Sequence, residues 1–167
     1  MELYLLRHGI AADREVFAGE DSSRPLTAEG EKKMRRIAQG MLALKLSFDV
    51  ILSSPYRRAQ ETANVVASRF SLRRHLQLSK ALAPHGDRRA LVQEIVALDG
   101  HADNILLVGH EPYLSILVST LVFGRPGAHV NLKKGGLCKL NLECIRLGRC
   151  AELDWLLTPR HLIAAAR

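Results

Sequence analysis

The 167-residue sequence predicts an α/β fold: a three-layer sandwich with a mostly parallel central sheet flanked by helices and an antiparallel C-terminal strand pair. Three observations predict it. Apolar runs such as Leu3-Tyr4-Leu5-Leu6 and Ile105-Leu106-Leu107-Val108 have no polar interruption, so they read as strands covered on both faces. Segments of helical spacing alternate with such strands over the first two thirds of the chain, the order that builds parallel sheets with crossover helices. In the final third the apolar period drops to two, which suits an antiparallel pair.

The elements follow in order. The first strand, Leu3 to Leu6, delivers Arg7 and His8 together at its end, and Gly9 then permits a sharp turn or the close approach of a ligand. Residues 10–25 form a polar loop ending in Arg24-Pro25. Loops of this length within compact domains are often functional, and Arg24 is a candidate substrate contact because its loop adjoins the first strand. Thr27 is suited to N-cap a helix, with Glu29 and Glu31 favourably placed near its positive end. Met34, Ile37, Ala38, Met41 and Leu42 carry that helix to about Leu44.

Asp49 to Leu52 is a second strand, and Ser53-Ser54-Pro55 reads as N-cap and first helical position of the next helix. Ala59, Thr62, Ala63, Val66 and Phe70 form its apolar side. A brief strand at Leu76–Leu78 precedes Asp87, which can cap a third helix carrying Leu91, Val92, Ile95 and Val96. The strand Asn104–Val108 ends in Gly109-His110, and Pro112 opens a fourth helix with Leu114, Leu117, Val118 and Leu121. Leu140, Leu142 and Cys144 then alternate with Lys139, Asn141 and Glu143. After a turn near Gly148, Leu153, Trp155 and Leu157 alternate again. No repeat, low-complexity run or linker divides the chain, which predicts a single domain over residues 1–167.

Composition narrows the function classes. Apolar residues at 47% and charged residues at 25% exclude a mostly disordered chain. No apolar run is long enough to span a bilayer and the N-terminus lacks a signal-peptide pattern, so a cytoplasmic protein without a membrane partner is expected. The three cysteines, Cys138, Cys144 and Cys150, form no C-x-x-C pair and read as small apolar residues in a reducing compartment. A net charge of +7 favours anionic partners, but aromatics at 5% provide no stacking platform for nucleic acid. Neither a Walker A loop nor G-x-G-x-x-G is present, so nucleotide-driven chemistry, a cofactor and a metal are not expected.

His8, Arg58 and His110 each lie at or just past the carboxyl end of a predicted strand, the edge where open α/β sheets bind ligands. Arg58 also falls in the first turn of a helix, whose free N–H groups attract anions. With Arg7 beside His8, two arginines, two histidines and a helix N-terminus suit a dianionic phosphoryl group or another oxyanion.

The runs Leu6-Arg7-His8-Gly9, Ser53-Ser54-Pro55-Tyr56-Arg57-Arg58-Ala59-Gln60-Glu61-Thr62-Ala63 and Val108-Gly109-His110-Glu111-Pro112 resemble, in order, three signatures of the histidine phosphatase superfamily, the phosphoglycerate-mutase-like fold. Arg24-Pro25-Leu26-Thr27 and Ala83-Pro84-His85-Gly86-Asp87 resemble the short SixA-type phosphohistidine phosphatases within it. The resemblance implies that His8 is a nucleophile forming a phosphohistidine enzyme, that Arg7 and Arg58 hold the phosphoryl oxygens, and that His110 completes the pocket. Arg58 is preferred to Arg57 because the family places its arginine immediately before the alanine of this segment.

Many members carry a glutamate that protonates an alcohol leaving group. The corresponding stretch, Lys80 to Asp87, contains none, leaving His85 and Asp87 as alternative acids. Imidazole leaves phosphohistidine as a neutral ring once its other nitrogen is protonated, so the missing acid costs less for an N–P than for an O–P bond. The expectation is therefore a phosphohistidine phosphatase acting on a phosphorylated protein such as a histidine phosphotransfer domain. The alternatives are a phosphatase of small phosphate monoesters and a basic, non-catalytic binding module.

Overall fold

A strand that is apolar on both faces needs hydrogen-bonding neighbours on both edges and helices above and below, and β1 (Glu2–Arg7) has both. The computed structural model describes residues 1–98 and 100–166. Its further strands are β2 (Val50–Ser53), β3 (Leu76–Leu78), β4 (Asn104–Gly109), β5 (Leu137–Leu142) and β6 (Ala151–Leu157). They form one sheet in the order β3-β2-β4-β1-β5-β6. The first four strands in that order run parallel, whereas β5 is antiparallel to both β1 and β6.

Alternation along β1 divides the core. Leu3 and Leu5 face one layer with Leu91 and Ile95 of α3 (Arg88–Val96) and Leu114 and Leu117 of α4 (Tyr113–Phe123). Tyr4 and Leu6 face the other, with Met34 and Ile37 of α1 (Ala28–Ala43), Ala63 and Val66 of α2 (Arg57–Arg69) and Leu162 of α5 (Pro159–Ala165). Each such buried leucine contributes roughly 1.5–3 kcal/mol. Thr27 caps α1 by accepting the Gly30 N–H at 2.9 Å, and Asp87 caps α3 by accepting the Arg89 N–H at 2.8 Å. Among the described residues no helix is long and apolar enough to cross a membrane.

Three sequence expectations are corrected, and one element is added. First, α2 starts at Arg57, not at Pro55, and its N-cap Tyr56 supplies no side-chain hydrogen bond. Second, α5 has no counterpart in the sequence reading. Thr158 and His161 form its capping box, and it packs on α1 so closely that a Cβ at Gly40 would lie 1.7 Å from the Leu162 carbonyl oxygen. Third, a bulge at Asp154 pairs Trp155 with Lys139 but Leu153 with Leu140, so Leu153 faces away from Trp155 and is left 42% exposed. Fourth, of the three cysteines only Cys138 is buried; Cys144 is exposed beyond the end of β5.

Candidate active site

Because β2, β4 and β1 are neighbours, with Arg7 opposite Gly109 and Ser53 opposite Val108, the residues that follow these strands emerge side by side. The ladder continues past the strand ends: the His8 N–H donates to the Gly109 carbonyl at 3.0 Å and the Ser54 N–H to the Val108 carbonyl at 2.9 Å. The sheet therefore carries His8, Ser54 and His110 to one place.

His8 is buried, with its Nδ1 2.8 Å from the Gly9 carbonyl oxygen. A carbonyl can only accept, so Nδ1 carries the ring hydrogen and Nε2 holds a lone pair. That lone pair accepts the Nε–H of Arg58 at 3.2 Å. The turn is fixed from below, because the Gly9 N–H donates to the Thr62 hydroxyl at 3.0 Å and that hydroxyl donates to the Arg58 carbonyl at 2.7 Å. Gly9 is required for space: a Cβ there would stand 2.7 Å from Cγ of Met34. Met34 of α1 fills the space that a side chain at Gly9 would need. Burial, with smaller contributions from the charges of His110, Arg58 and Arg7, pushes the His8 pKa down to about 3.

The His110 ring lies 5.1 Å from that of His8, centroid to centroid. Its Nε2 is 2.8 Å from the Ser54 hydroxyl, which also accepts the Tyr56 N–H at 3.3 Å. Nδ1 is buried without a hydrogen-bond partner, and burial followed by the nearby Arg58 charge pushes the His110 pKa down to about 3. Both imidazoles are therefore neutral near pH 7.

Arg58 is 4% exposed and its guanidinium is held from three sides. Besides the bond to His8, Nη1 donates to the Asp21 carbonyl at 2.7 Å and Nη2 to the Asp21 carboxylate at 3.0 Å. Arg7 is anchored through Nη1 to the Leu132 carbonyl at 3.0 Å, while its Nε is buried and unpartnered.

Arg24 is in this neighbourhood, but through Asp21: its Nε donates to the other carboxylate oxygen at 2.8 Å and its Nη1 to the Ala12 carbonyl at 2.7 Å. The long loop is pinned at its base by a bridge between Ala11 and Leu26. Arg57 instead pairs with Glu61 at the surface, 2.7 Å apart. Asp87 is an exposed helix cap and His85 is exposed, and neither bonds to His8 or His110. Glu111 accepts the Ser115 N–H at 3.2 Å, and burial raises its pKa against the opposing effects of Ser115 and the Arg7 charge. Among the described residues no group of three or more His, Cys, Asp or Glu side chains is placed to hold a metal ion.

Two residues at this site were not singled out for it by the sequence reading. The local sequence around Ser54 suits a helix start, whereas its hydroxyl contacts His110. Asp21 had no signal, because its pairing depends on how the loop returns to α2. Chemically, the arrangement presents a neutral nitrogen lone pair beside several cationic donors, which suits attack on an anionic phosphoryl centre.

Comparison with known proteins places this arrangement in context. Residues 3–83 match the model of the histidine phosphatase superfamily (branch 1). An uncharacterized protein of Picosynechococcus sp. is 40% identical over 98% of this chain and 99% of its own length. The phosphohistidine phosphatase SixA of Escherichia coli is 30% identical over 74% of this chain and 76% of its own. A solved structure of the protein histidine phosphatase SixA complexed with tungstate superposes with a TM-score of 0.82, at 25% identity, over 97% of this chain and 99% of that one.

Proposed function

The chain belongs to the histidine phosphatase superfamily, and on that premise we propose that it hydrolyses phosphohistidine displayed on a partner protein, such as a histidine phosphotransfer domain, through a covalent phosphohistidine at His8. The observation that carries the reading is the fixed tautomer of His8, with Nδ1–H bound to the Gly9 carbonyl and the Nε2 lone pair directed to Arg58.

In the first step the Nε2 lone pair attacks phosphorus as the N–P bond of the substrate breaks. A substrate ring protonated on its other nitrogen departs as neutral imidazole, so no dedicated acid is needed. As the Nε2 lone pair turns to phosphorus it releases the Arg58 Nε–H, which then binds a phosphoryl oxygen. Arg7 and the second N–H of each Arg58 Nη atom stabilise the charge that spreads over the transferring group. The buried Nδ1 of His110 is a further donor when its hydrogen sits on that atom.

In the second step water attacks phosphorus, the Nε2–P bond breaks, and both protons of the water stay on the released phosphate, which passes one to solvent near neutral pH. His8 leaves as a neutral imidazole because its hydrogen stays on Nδ1, where the Gly9 carbonyl accepts it as a hydrogen bond. The phosphohistidine phosphatase of Escherichia coli among the relatives, and the SixA solved with tungstate, a tetrahedral oxyanion, support this reading.

The test is turnover of a phosphohistidine-bearing protein by the purified chain, beside a sugar phosphate at neutral pH. Wild type is expected to release phosphate from the first far faster than from the second. A brief incubation quenched in alkali should leave label on the protein, and His8→Ala should abolish both label and turnover. Preference for the sugar phosphate would move the assignment to the small-monoester reading, and a labelled His8→Ala protein would remove the nucleophile.

A further inference from the structure

A carboxylate inside a cup built for anions needs a reason. Asp21 reaches that cup from the 3-10 turn Asp21–Ser23, and its two carboxylate oxygens are divided between two guanidinium groups. Oδ1 accepts from Arg24 at 2.8 Å and Oδ2 from Arg58 at 3.0 Å, while its backbone carbonyl takes a second Arg58 N–H at 2.7 Å. With both Nη groups held by one residue, the Arg58 guanidinium plane is fixed and its Nε–H is aimed at His8 Nε2. Asp21 and Arg24 are each only partly exposed, and Arg58 is buried.

From this geometry we propose that Asp21 is a positioning residue with two effects: it orients Arg58 for transfer, and it lowers the charge of the cup so that phosphate is released. The proposal rests on the phosphoryl-transfer reading above but not on phosphohistidine as the substrate.

Arg7, Arg24 and Arg58 are cationic and both histidines are neutral near pH 7, while Asp21 sits between Arg24 and Arg58 and Glu111 acts on Arg7. Asp21 therefore lowers the positive charge of the cup by one, and without it inorganic phosphate is held more tightly. The Asp21 carboxylate is held below the usual carboxylate range by its arginine partners, against the opposing effect of burial, so it is ionised throughout the neutral range.

Two variants separate the effects. Asp21→Asn removes the charge and one charge-assisted bond. Its affinity for inorganic phosphate, read by calorimetric titration of the folded protein, is expected to rise roughly tenfold while kcat falls roughly tenfold. Asp21→Glu keeps the charge but displaces Arg58, so phosphate affinity should stay within about twofold of wild type while kcat falls. A residue serving the loop's stability alone would lower phosphate affinity, kcat and the melting temperature together.

Unchanged or weaker phosphate binding in Asp21→Asn overturns the charge effect, and unchanged kcat in Asp21→Glu overturns the positioning effect. If Asp21→Asn does not fold, Asp21→Glu and Asp21→Ser are titrated by the same method, with Asp21→Ser required to bind phosphate more tightly. Direct phosphate binding reads the charge effect without any substrate, and kcat is read on whichever phosphorylated substrate the wild type turns over, so failure of the wild type on phosphohistidine would count against the substrate assignment alone.

Discussion

The Nε–H of Arg58 points at Nε2 of His8 from 3.2 Å, so the candidate nucleophile is held by the group expected to receive its substrate's charge. The contact fixes the imidazole before phosphate arrives. It also means that lysine is a poor substitute, since an ammonium lacks the planar fork that serves His8 and Asp21 together. Arg58→Lys is expected to lose about 10²–10³ in kcat, and Arg58→Ala at least as much, with phosphate binding weakened further in the alanine variant. Rapid-quench measurement of the first turnover checks this, because the loss should fall on formation of the enzyme-bound phosphate.

The Ser54 hydroxyl is coupled to the tautomer of His110. Its oxygen accepts the Tyr56 N–H, and when its own hydrogen goes to His110 Nε2 the ring hydrogen sits on Nδ1, which has no other partner and can donate to a phosphoryl oxygen. Ser54→Ala removes that coupling and should lower kcat/KM roughly tenfold, the value of about one net hydrogen bond. Ser54→Thr retains the hydroxyl and should recover most of the loss. The ring carbon resonances of His110, which report the tautomer, should shift in the alanine variant and not in the threonine one.

Strand ends were legible in the sequence because apolar runs mark strands and the first polar residues after them must emerge at the sheet edge. That logic located His8 and His110, and the family resemblance chose Arg58 over Arg57. Asp21 was not legible: its contacts to Arg24 and Arg58 arise from the path of a loop with no periodicity. Ser54 was read locally as a cap, whereas its partner His110 is 56 residues away. The face of Leu153 was misread because a single bulged residue, Asp154, inverts every side chain before it. Helix α5 escaped because seven residues with two apolar anchors carry too little periodicity to distinguish it from a tail.

Acid should destabilise the fold through its two buried histidines. Their pKa values fall from the ordinary 6.5 to about 3 on burial, so below pH 6.5 the unfolded chain binds protons that the folded one excludes. Stability is unaffected by these groups above pH 6.5, and it declines as pH drops from there toward 3 by up to about 1.4 kcal/mol per pH unit for each histidine. Urea unfolding from pH 8 to 4 should show this decline, and it should be shallower in His8→Asn. An equally steep decline in that variant would place the titrating groups elsewhere.

Gly40 tests the α1–α5 contact without touching the cup. Helix α5 lies against α1 with the Leu162 carbonyl oxygen where a side chain at position 40 would have to go, 1.7 Å from the position of a Cβ. The obstacle is backbone, which rotamer changes cannot relieve, so Gly40→Ala must push α5 outward or bend α1. In an exposed helix the same change would be stabilising, by roughly 1 kcal/mol from propensity alone. Here overpacking should win, with a net loss of about 1–3 kcal/mol in urea unfolding. The activity of the molecules that remain folded should be preserved, because β1, β2 and β4 position the candidate cup independently of α5. A stabilised variant would mean that α5 does not pack on α1 in solution, and that Leu162 is not part of the core beneath Tyr4 and Leu6.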